Sequence, residues 1–229
     1  NTIFGYVAER LFQVEDDKTG DGKIDDKDGF PVQTLGGVVA PGDIKYKDLN
    51  GDGKIDATDQ TAIGNPNIPG IIYGFSPRFS YKGLDLSILI QGATKTSAFI
   101  RQELVWLLSG ANTTTYTLDY WTPDNRDAKV PRPYGASGNT NNQQTSTWWV
   151  WDISYLRIKS FELGYKIPEA LLKKTPVKSF RIFASGQNLF TSSIVKGIVD
   201  PELSSTGSNT RGWYYPQQRA FSVGANITL

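Results

Sequence analysis

Residues Asp48 to Asp59 read DLNGDGKIDATD, with oxygen-bearing side chains on alternate residues around a glycine. Counted from Asp48, positions 1, 3, 5, 9 and 12 carry Asp48, Asn50, Asp52, Asp56 and Asp59. Position 6 is Gly53, where the chain must turn sharply, and position 7 is Lys54, which can offer only its backbone carbonyl. A hard cation such as Ca2+ takes about six to eight oxygens, and alternation within a tight loop aims them at one point. The stretch DKTGDGKIDDKD repeats the pattern, with Asp17, Thr19, Asp21, Lys23, Asp25 and Asp28 at the same positions. Calcium is the expected ligand of residues 48–59 and a candidate for residues 17–28. Position 12 is Asp in both, a shorter arm than the bidentate Glu of an EF-hand, and this is expected to weaken binding. The opposing description is that Asp, Asn and Gly build these turns through their own local hydrogen bonds. Both fit the residues. In either case the expected job is to stiffen a long loop, offsetting part of its ordering entropy.

A whole-domain calcium module of the EF-hand or dockerin kind needs a helix after each loop. The segments that follow, GFPVQTLGGVVAPG and QTAIGNPNIPG, are broken by Gly and Pro, so that architecture is excluded. The chain has no His and no Cys, which removes the usual general base, thiol nucleophiles, disulfides and Cys-ligated zinc. Two carboxylates alone can hydrolyse a glycosidic bond, and LDYWTPDNRD sets Asp119, Asp124 and Asp127 beside Tyr120 and Trp121. That cluster reads first as a solvated loop, second as a ligand contact and last as a catalytic pair, so no enzymatic activity is expected. Lys plus Arg (24) against Asp plus Glu (23) leaves a charge of +1, with no electrostatic case for nucleic acid and none for anionic lipid. Met is absent as well, and NTIFGYVAERL shows no signal peptide; both fit a piece cut from further along a precursor.

The elements that must position these loops are strands. In IIYGFSPRFSY, Tyr73, Phe75, Phe79 and Tyr81 alternate with Gly74, Ser76, Arg78 and Ser80, and after Lys82-Gly83 the alternation continues through Leu84, Leu86, Ile88 and Ile90. SYLRIKSFELGYKI also alternates, but its apolar parity moves from Leu156 and Ile158 to Phe161, Leu163 and Tyr165, which predicts a β-bulge near Lys159-Ser160. Phe180, Ile182 and Ala184 mark a further strand, and Phe221, Val223, Ala225, Ile227 and Leu229 mark the last. The start, NTIFGYVAERLFQ, is the candidate for a sixth. Connections alternate between short and long, the long ones covering residues 14–70, 92–150 and 189–216. Transmembrane barrels sort their loops in this way, with short periplasmic turns and long extracellular loops. A soluble calcium-stabilised β-sandwich that binds carbohydrate gives the same local alternation, but it has no reason to sort its loops by length. Trp148, Trp149 and Trp151, and Trp213, Tyr214 and Tyr215, sit where long loops re-enter strands. They fit an interfacial aromatic girdle, and equally an ordinary core or a sugar-binding cleft. No apolar run is long enough for a membrane-spanning helix, which leaves barrels open.

Several ordered motifs carry a resemblance. GDIKYKDLNGDGKIDATDQTAIGNPNIPGIIYGFSPRFSYKGLDLSILIQG, SYLRIKSFELGYKIPEALLKK, SFRIFASGQNLFT with Asp200-Pro201-Glu202 after it, and YYPQQRAFSVGANITL resemble the late part of SusC/RagA-type TonB-dependent outer-membrane transporters. The resemblance covers nearly all of the chain and is weakest across residues 97–147. It implies an all-β fold, a transmembrane antiparallel barrel of which this chain supplies about six C-terminal strands, too few to close around a plug. It implies active import of oligosaccharides or peptides across a Gram-negative outer membrane, with a SusD-type surface lipoprotein as lid. Energy would come from TonB through a plug domain outside these residues. The last strand resembles the signal read by the barrel-assembly machinery, although it ends in Leu229 where an aromatic is usual. Import then predicts that Tyr73, Phe79, Leu86, Ile88, Phe180, Ile182, Phe221, Val223 and Ile227 point outward, uncovered by other protein. A sandwich would bury them in one shared core.

Overall fold

The computed structural model describes residues 2–107, 114–133, 140–195, 197–202, 211–213, 215 and 217–229. Its main element is one antiparallel sheet. In chain order the strand segments are β1 (Ile71–Phe75), β2 (Arg78–Tyr81), β3 (Leu84–Thr94), β4 (Tyr155–Lys166), β5 (Ser179–Ser192) and β6 (Ala220–Thr228). Their spatial order is β6-β5-β4-β3, with β1 and β2 both along the far edge of β3. β1 and β2 keep one register on β3, Phe75 opposite Ile90 and Arg78 opposite Ser87. The ladder is interrupted only at Ser76-Pro77. Proline has no N–H to give, yet its carbonyl still accepts from Ile88 N at 3.1 Å.

β2 and β3 are joined by Lys82 (φ 47°) and Gly83 (φ 89°), the two left-handed residues that a tight hairpin turn demands. The predicted bulge is present: β4 shifts register against both β3 and β5 between Ile158 and Ser160. One side chain slips out of alternation there, and the apolar residues on both sides of the slip share a face. That face is continuous across the sheet. Phe79, Leu86, Leu163, Ala184 and Val223 form one row, and Tyr81, Leu84, Tyr165, Ile182 and Ala225 the next. The opposite face carries Asp85, Ser87, Glu162, Arg181, Ser185, Ser222 and Asn226, with Ile72, Leu89 and Phe183 as apolar exceptions.

The start does not join this sheet. Phe4–Gly5 pairs with Thr61–Ala62, and Ala8–Leu11 with Ile44–Tyr46, in separate two-stranded ladders. Tyr6, Leu11 and Phe12 are buried. Their alternation serves the core of a loop body rather than a lipid face, so the sixth strand segment comes from the division of Ile71–Tyr81. The long connections all leave from the end of the sheet opposite Lys82-Gly83 and the β4–β5 turn. They pack on one another around Tyr6, Ile44, Tyr46, Ile55, Ile100, Trp149 and Val195. Among the described residues no helix is long and apolar enough to cross a membrane.

Candidate functional site

The two Asp-rich stretches fold alike, almost bond for bond. At position 1, Asp48 accepts from Gly51 N (2.6 Å) and Gly53 N (2.9 Å), and Asp17 accepts from Gly20 N (2.7 Å) and Gly22 N (2.8 Å). At position 5, Asp52 and Asp21 accept from the N–H groups of Lys54 and Lys23. Asp56 and Asp25 at position 9 cap single 3-10 turns by accepting from Thr58 N and Lys27 N. Position 12 closes each loop. Asp59 accepts from Leu49 N and Asp56 N while fully buried, and Asp28 accepts from Lys18 N, Thr19 N and Asp25 N. The glycines at positions 4 and 6 all have φ between 71° and 80°, where any other residue is strained. Burial alone would raise the Asp28 pKa. The N–H groups of Thr19, Asp25 and Lys18 outweigh burial and hold it below the ordinary carboxylate value. Asn50 donates to Asp52 (3.1 Å) and to Thr58 (2.9 Å), whereas Thr19, its counterpart, donates to Asp17 at 3.3 Å. Lys54 and Lys23 are exposed, with their carbonyls at position 7. Among the described residues no three carboxylates converge on one point. Each one-oxygen bond to an N–H still leaves lone pairs on the same carboxylate.

A second centre lies on the polar face of the sheet, built from residues far apart in the sequence. Arg157 projects from β4 and is 3% exposed. All five of its N–H donors are used: one to Thr191 (2.9 Å), two to Glu202 (2.5 Å) and Gln217 (2.8 Å), and two to the oxygens of Asp200 (3.0 and 2.9 Å). Lys159 donates to both oxygens of Glu202 (3.0 and 2.9 Å), and the Tyr155 hydroxyl donates to one at 3.0 Å. Burial pushes the Glu202 pKa up, but Lys159 and Arg157 bring it below the usual carboxylate range. The segment Asp200-Pro201-Glu202 is thereby pulled down onto the inner face of the strands. Beside it lies a cavity of about 350 Å³ lined by Arg157, Thr191, Val199, Asp200, Gln217 and Arg219. Glu103 and Arg211 form a third tie, at 2.5 and 3.0 Å, between two of the long connections.

Inside the loop body Asp43 is fully buried. It accepts from Arg132 Nε (2.8 Å) and Nη2 (2.9 Å), Asn142 Nδ2 (2.8 Å) and Ala40 N (2.9 Å). Gln33 and Asn141 bond to each other and to the Ile44 carbonyl, so the first and second long connections share one buried polar network. Trp149, 1% exposed, donates to the Asn142 carbonyl at 2.7 Å, and Trp148 and Trp151 pack on the same core. These three are core residues and not a girdle. Trp213 is exposed beneath the Arg211 guanidinium at 3.8 Å, and Tyr215 is exposed; Tyr214 lies outside the described residues. Asp119 is tied to Asn125 (3.1 Å) and Lys129 (3.5 Å), Asp124 and Asp127 sit on an exposed turn, and Trp121 is buried in the core.

The outward face decides between barrel and sandwich. Phe221 is 77% exposed, Val223 87% and Ile227 59%, and Tyr73, Phe79 and Ile182 are exposed too. Leu86, Ile88 and Phe180 are half-buried, by flanking side chains of their own sheet. Among the described residues no second sheet covers this face. A one-sided antiparallel sheet of this kind, with a packed body of loops at one end, is a section of the wall of a membrane β-barrel. Comparison with known proteins agrees. No protein-family model matches the sequence. TonB-dependent receptor P3 of Formosa agariphila is 33% identical over 210 residues, 86% of this chain and 20% of that protein. TonB-dependent receptor P26 of the same organism is 32% identical over 198 residues, 82% of this chain and 20% of that protein. The chain belongs to the TonB-dependent receptors and spans about a fifth of the length of these relatives. Its fold is also that of solved RagAB structures, as the SusC/RagA-type resemblance implies. The RagAB peptide transporter aligns with a TM-score of 0.66 at 20% identity over 99% of this chain and 23% of that one. The RagAB peptide importer in the open-open state aligns at 0.63 and 21%, over 100% and 22%.

Proposed function

We propose that this chain is part of the wall and the extracellular loop body of an active importer in the outer membrane of a Gram-negative cell. The single observation that carries the proposal is the apolar face running unbroken across β1 to β6 and exposed to whatever surrounds the molecule. Hydrocarbon is the medium in which such a face is stable. The long connections then lie outside the cell, where a SusD-type lipoprotein would close over the loop body, and TonB acts through a plug beyond these residues. The cargo class is an oligosaccharide or a peptide, and the RagAB structures, described as a peptide transporter, favour neither for this chain. Uptake of labelled oligosaccharide and peptide by cells carrying the full receptor tests the proposal. Uptake is expected to stop when the receptor gene is deleted and when the proton gradient is collapsed. Transport that persists through both treatments would overturn it.

In this reading Ca2+ occupies the loop at Asp48, Asn50, Asp52, Lys54 (carbonyl), Asp56 and Asp59, and in second place the loop at Asp17, Thr19, Asp21, Lys23 (carbonyl), Asp25 and Asp28. The matched alternation of oxygens and the free lone pairs on positions 1, 5 and 9 support it. The many N–H donors already bound to these carboxylates make the ion a stiffener of a loop that folds without it. The loops bind the cation for stability, and transport makes no chemical use of it.

A further inference from the structure

At its short-turn end the apolar face of the sheet finishes among lysines. The Lys82 ammonium lies 5.2 Å from the centroid of the Tyr81 ring, which belongs to that face. Lys178 donates its N–H to the Thr228 carbonyl at 2.8 Å, one residue beyond the β5–β6 ladder, so alternation sets it on the face of Phe180. Lys173 and Lys174 follow the short helix Glu169–Leu172 in the β4–β5 turn, and all four lysines are exposed. The side-chain acids at this end are already engaged. Glu169 pairs with Lys166 at 3.4 Å, and Asp85 and Glu162 pair with Arg181 on the polar face. Among the described residues, Lys82, Lys173, Lys174 and Lys178 have no carboxylate partner.

A groove of about 280 Å³ runs just above them on the apolar face, lined by Leu84, Leu163, Tyr165, Ile182 and Val223. A second cavity of about 300 Å³ sits at the rim, lined by Lys82, Gly83, Lys166 and Pro168. Their linings are neighbours in the chain, Gly83 beside Leu84 and Lys166 beside Tyr165. A net charge of +1 conceals this sorting, because of the 23 acids only Asp85, Glu162 and Glu169 lie at this end.

We infer that this rim binds an anionic glycerophospholipid of the periplasmic leaflet, its headgroup among Lys82, Lys173, Lys174 and Lys178 and an acyl chain along the Leu84–Val223 groove. The inference rests on the membrane-wall reading above. A zwitterionic lipid fits the groove equally well and presents the same phosphate, but its own ammonium offsets the attraction of the lysines, so the site discriminates by net headgroup charge. Each lysine near an anionic surface favours binding by roughly fivefold. The ammonium groups reach the headgroup level on apolar stems that stay against the ring and the strand.

The test uses the full receptor in vesicles, with a fluorophore on Ala184→Cys, whose side chain faces the groove. Quenching is compared between phosphatidylglycerol and phosphatidylcholine brominated on the acyl chain, at the same mole fraction. Phosphatidylglycerol is expected to be enriched at the label by about fivefold or more. Converting Lys82, Lys173, Lys174 and Lys178 to Gln should abolish the preference, and converting them to Arg should keep it. Equal quenching by the two lipids, or a preference that survives the Gln variant, overturns the inference and leaves the membrane reading intact. Absence of quenching by both lipids overturns the membrane reading itself.

Discussion

Substituting Val223 by Arg places a charge on the outward face of β6, and the register fixes how deep. Val223 lies five residues from Thr228, at the short-turn end of the ladder, opposite Ala184 on β5. At about 3.3 Å per residue and a strand tilt of about 40°, that is about 13 Å above the rim, near the middle of an apolar band about 25 Å tall. At mid-depth an Arg on the lipid face costs about 2–4 kcal/mol, roughly 30- to 900-fold in the folding equilibrium. Ile227→Arg, one residue from the rim, should cost about 0–1 kcal/mol, since its guanidinium reaches water. Ser222→Arg, adjacent in sequence but on the polar face, should be tolerated as well as Ile227→Arg. The assay is refolding of the full receptor into phospholipid vesicles across a urea series, read as the assembled fraction. A Ser222→Arg penalty equal to that of Val223→Arg would refute the assignment of faces. A larger penalty at Ile227 than at Val223 would refute the depth.

Arg157→Met removes the five donors that hold Asp200, Glu202, Gln217 and Thr191; Asp200 loses the guanidinium bound to both its oxygens, while Glu202 keeps Lys159 and Tyr155. Breaking such a pair typically costs about 3–5 kcal/mol, so hydrogen exchange across residues 193–202 should accelerate strongly while β5 stays protected. Unchanged exchange would show that the clamp does not hold this segment. Chelation with EGTA, or Asp48→Ala with Asp52→Ala, should raise protease sensitivity within residues 48–59 and leave the strands folded; unfolding of the sheet would contradict a loop-stiffening role. Asp28 has a depressed pKa in the folded loop. Its contribution is therefore fully present above the ordinary carboxylate value and is lost as pH falls below it toward the folded value. Amide protection at Lys18 and Thr19 should decline on acidification below about pH 4, and Asp28→Asn should remove that decline.

The sheet was readable in the sequence because a half-exposed strand in hydrocarbon must alternate, and even the bulge showed, as a change of parity between Ile158 and Phe161. Alternation does not say which apolar medium it serves, however. The start, NTIFGYVAERLFQ, reads as a candidate strand of the wall, but Tyr6 and Leu11 line the core of the loop body. The tryptophans were ambiguous for a related reason. A membrane interface and a protein core with one available carbonyl both suit an indole, and only the Asn142 carbonyl at 2.7 Å from Trp149 settles it. The Asp-rich loops were legible as turns because each carboxylate bonds to N–H groups mostly within five residues of itself, so their geometry is written locally. The Arg157 centre lies at the other extreme. Its acidic partners are 43 and 45 residues away, and Gln217 is 60 away. The available signals were a cation alternating onto the polar face of a strand and a paired Asp200-Pro201-Glu202 far downstream. Each is ordinary by itself. What joins them is that a buried guanidinium with five donors must find acceptors for all of them. In a sheet whose other face meets lipid, those acceptors can come only from the inward side. A long loop carrying two acids two residues apart can reach that side, and here Asp200 and Glu202 descend onto the polar face.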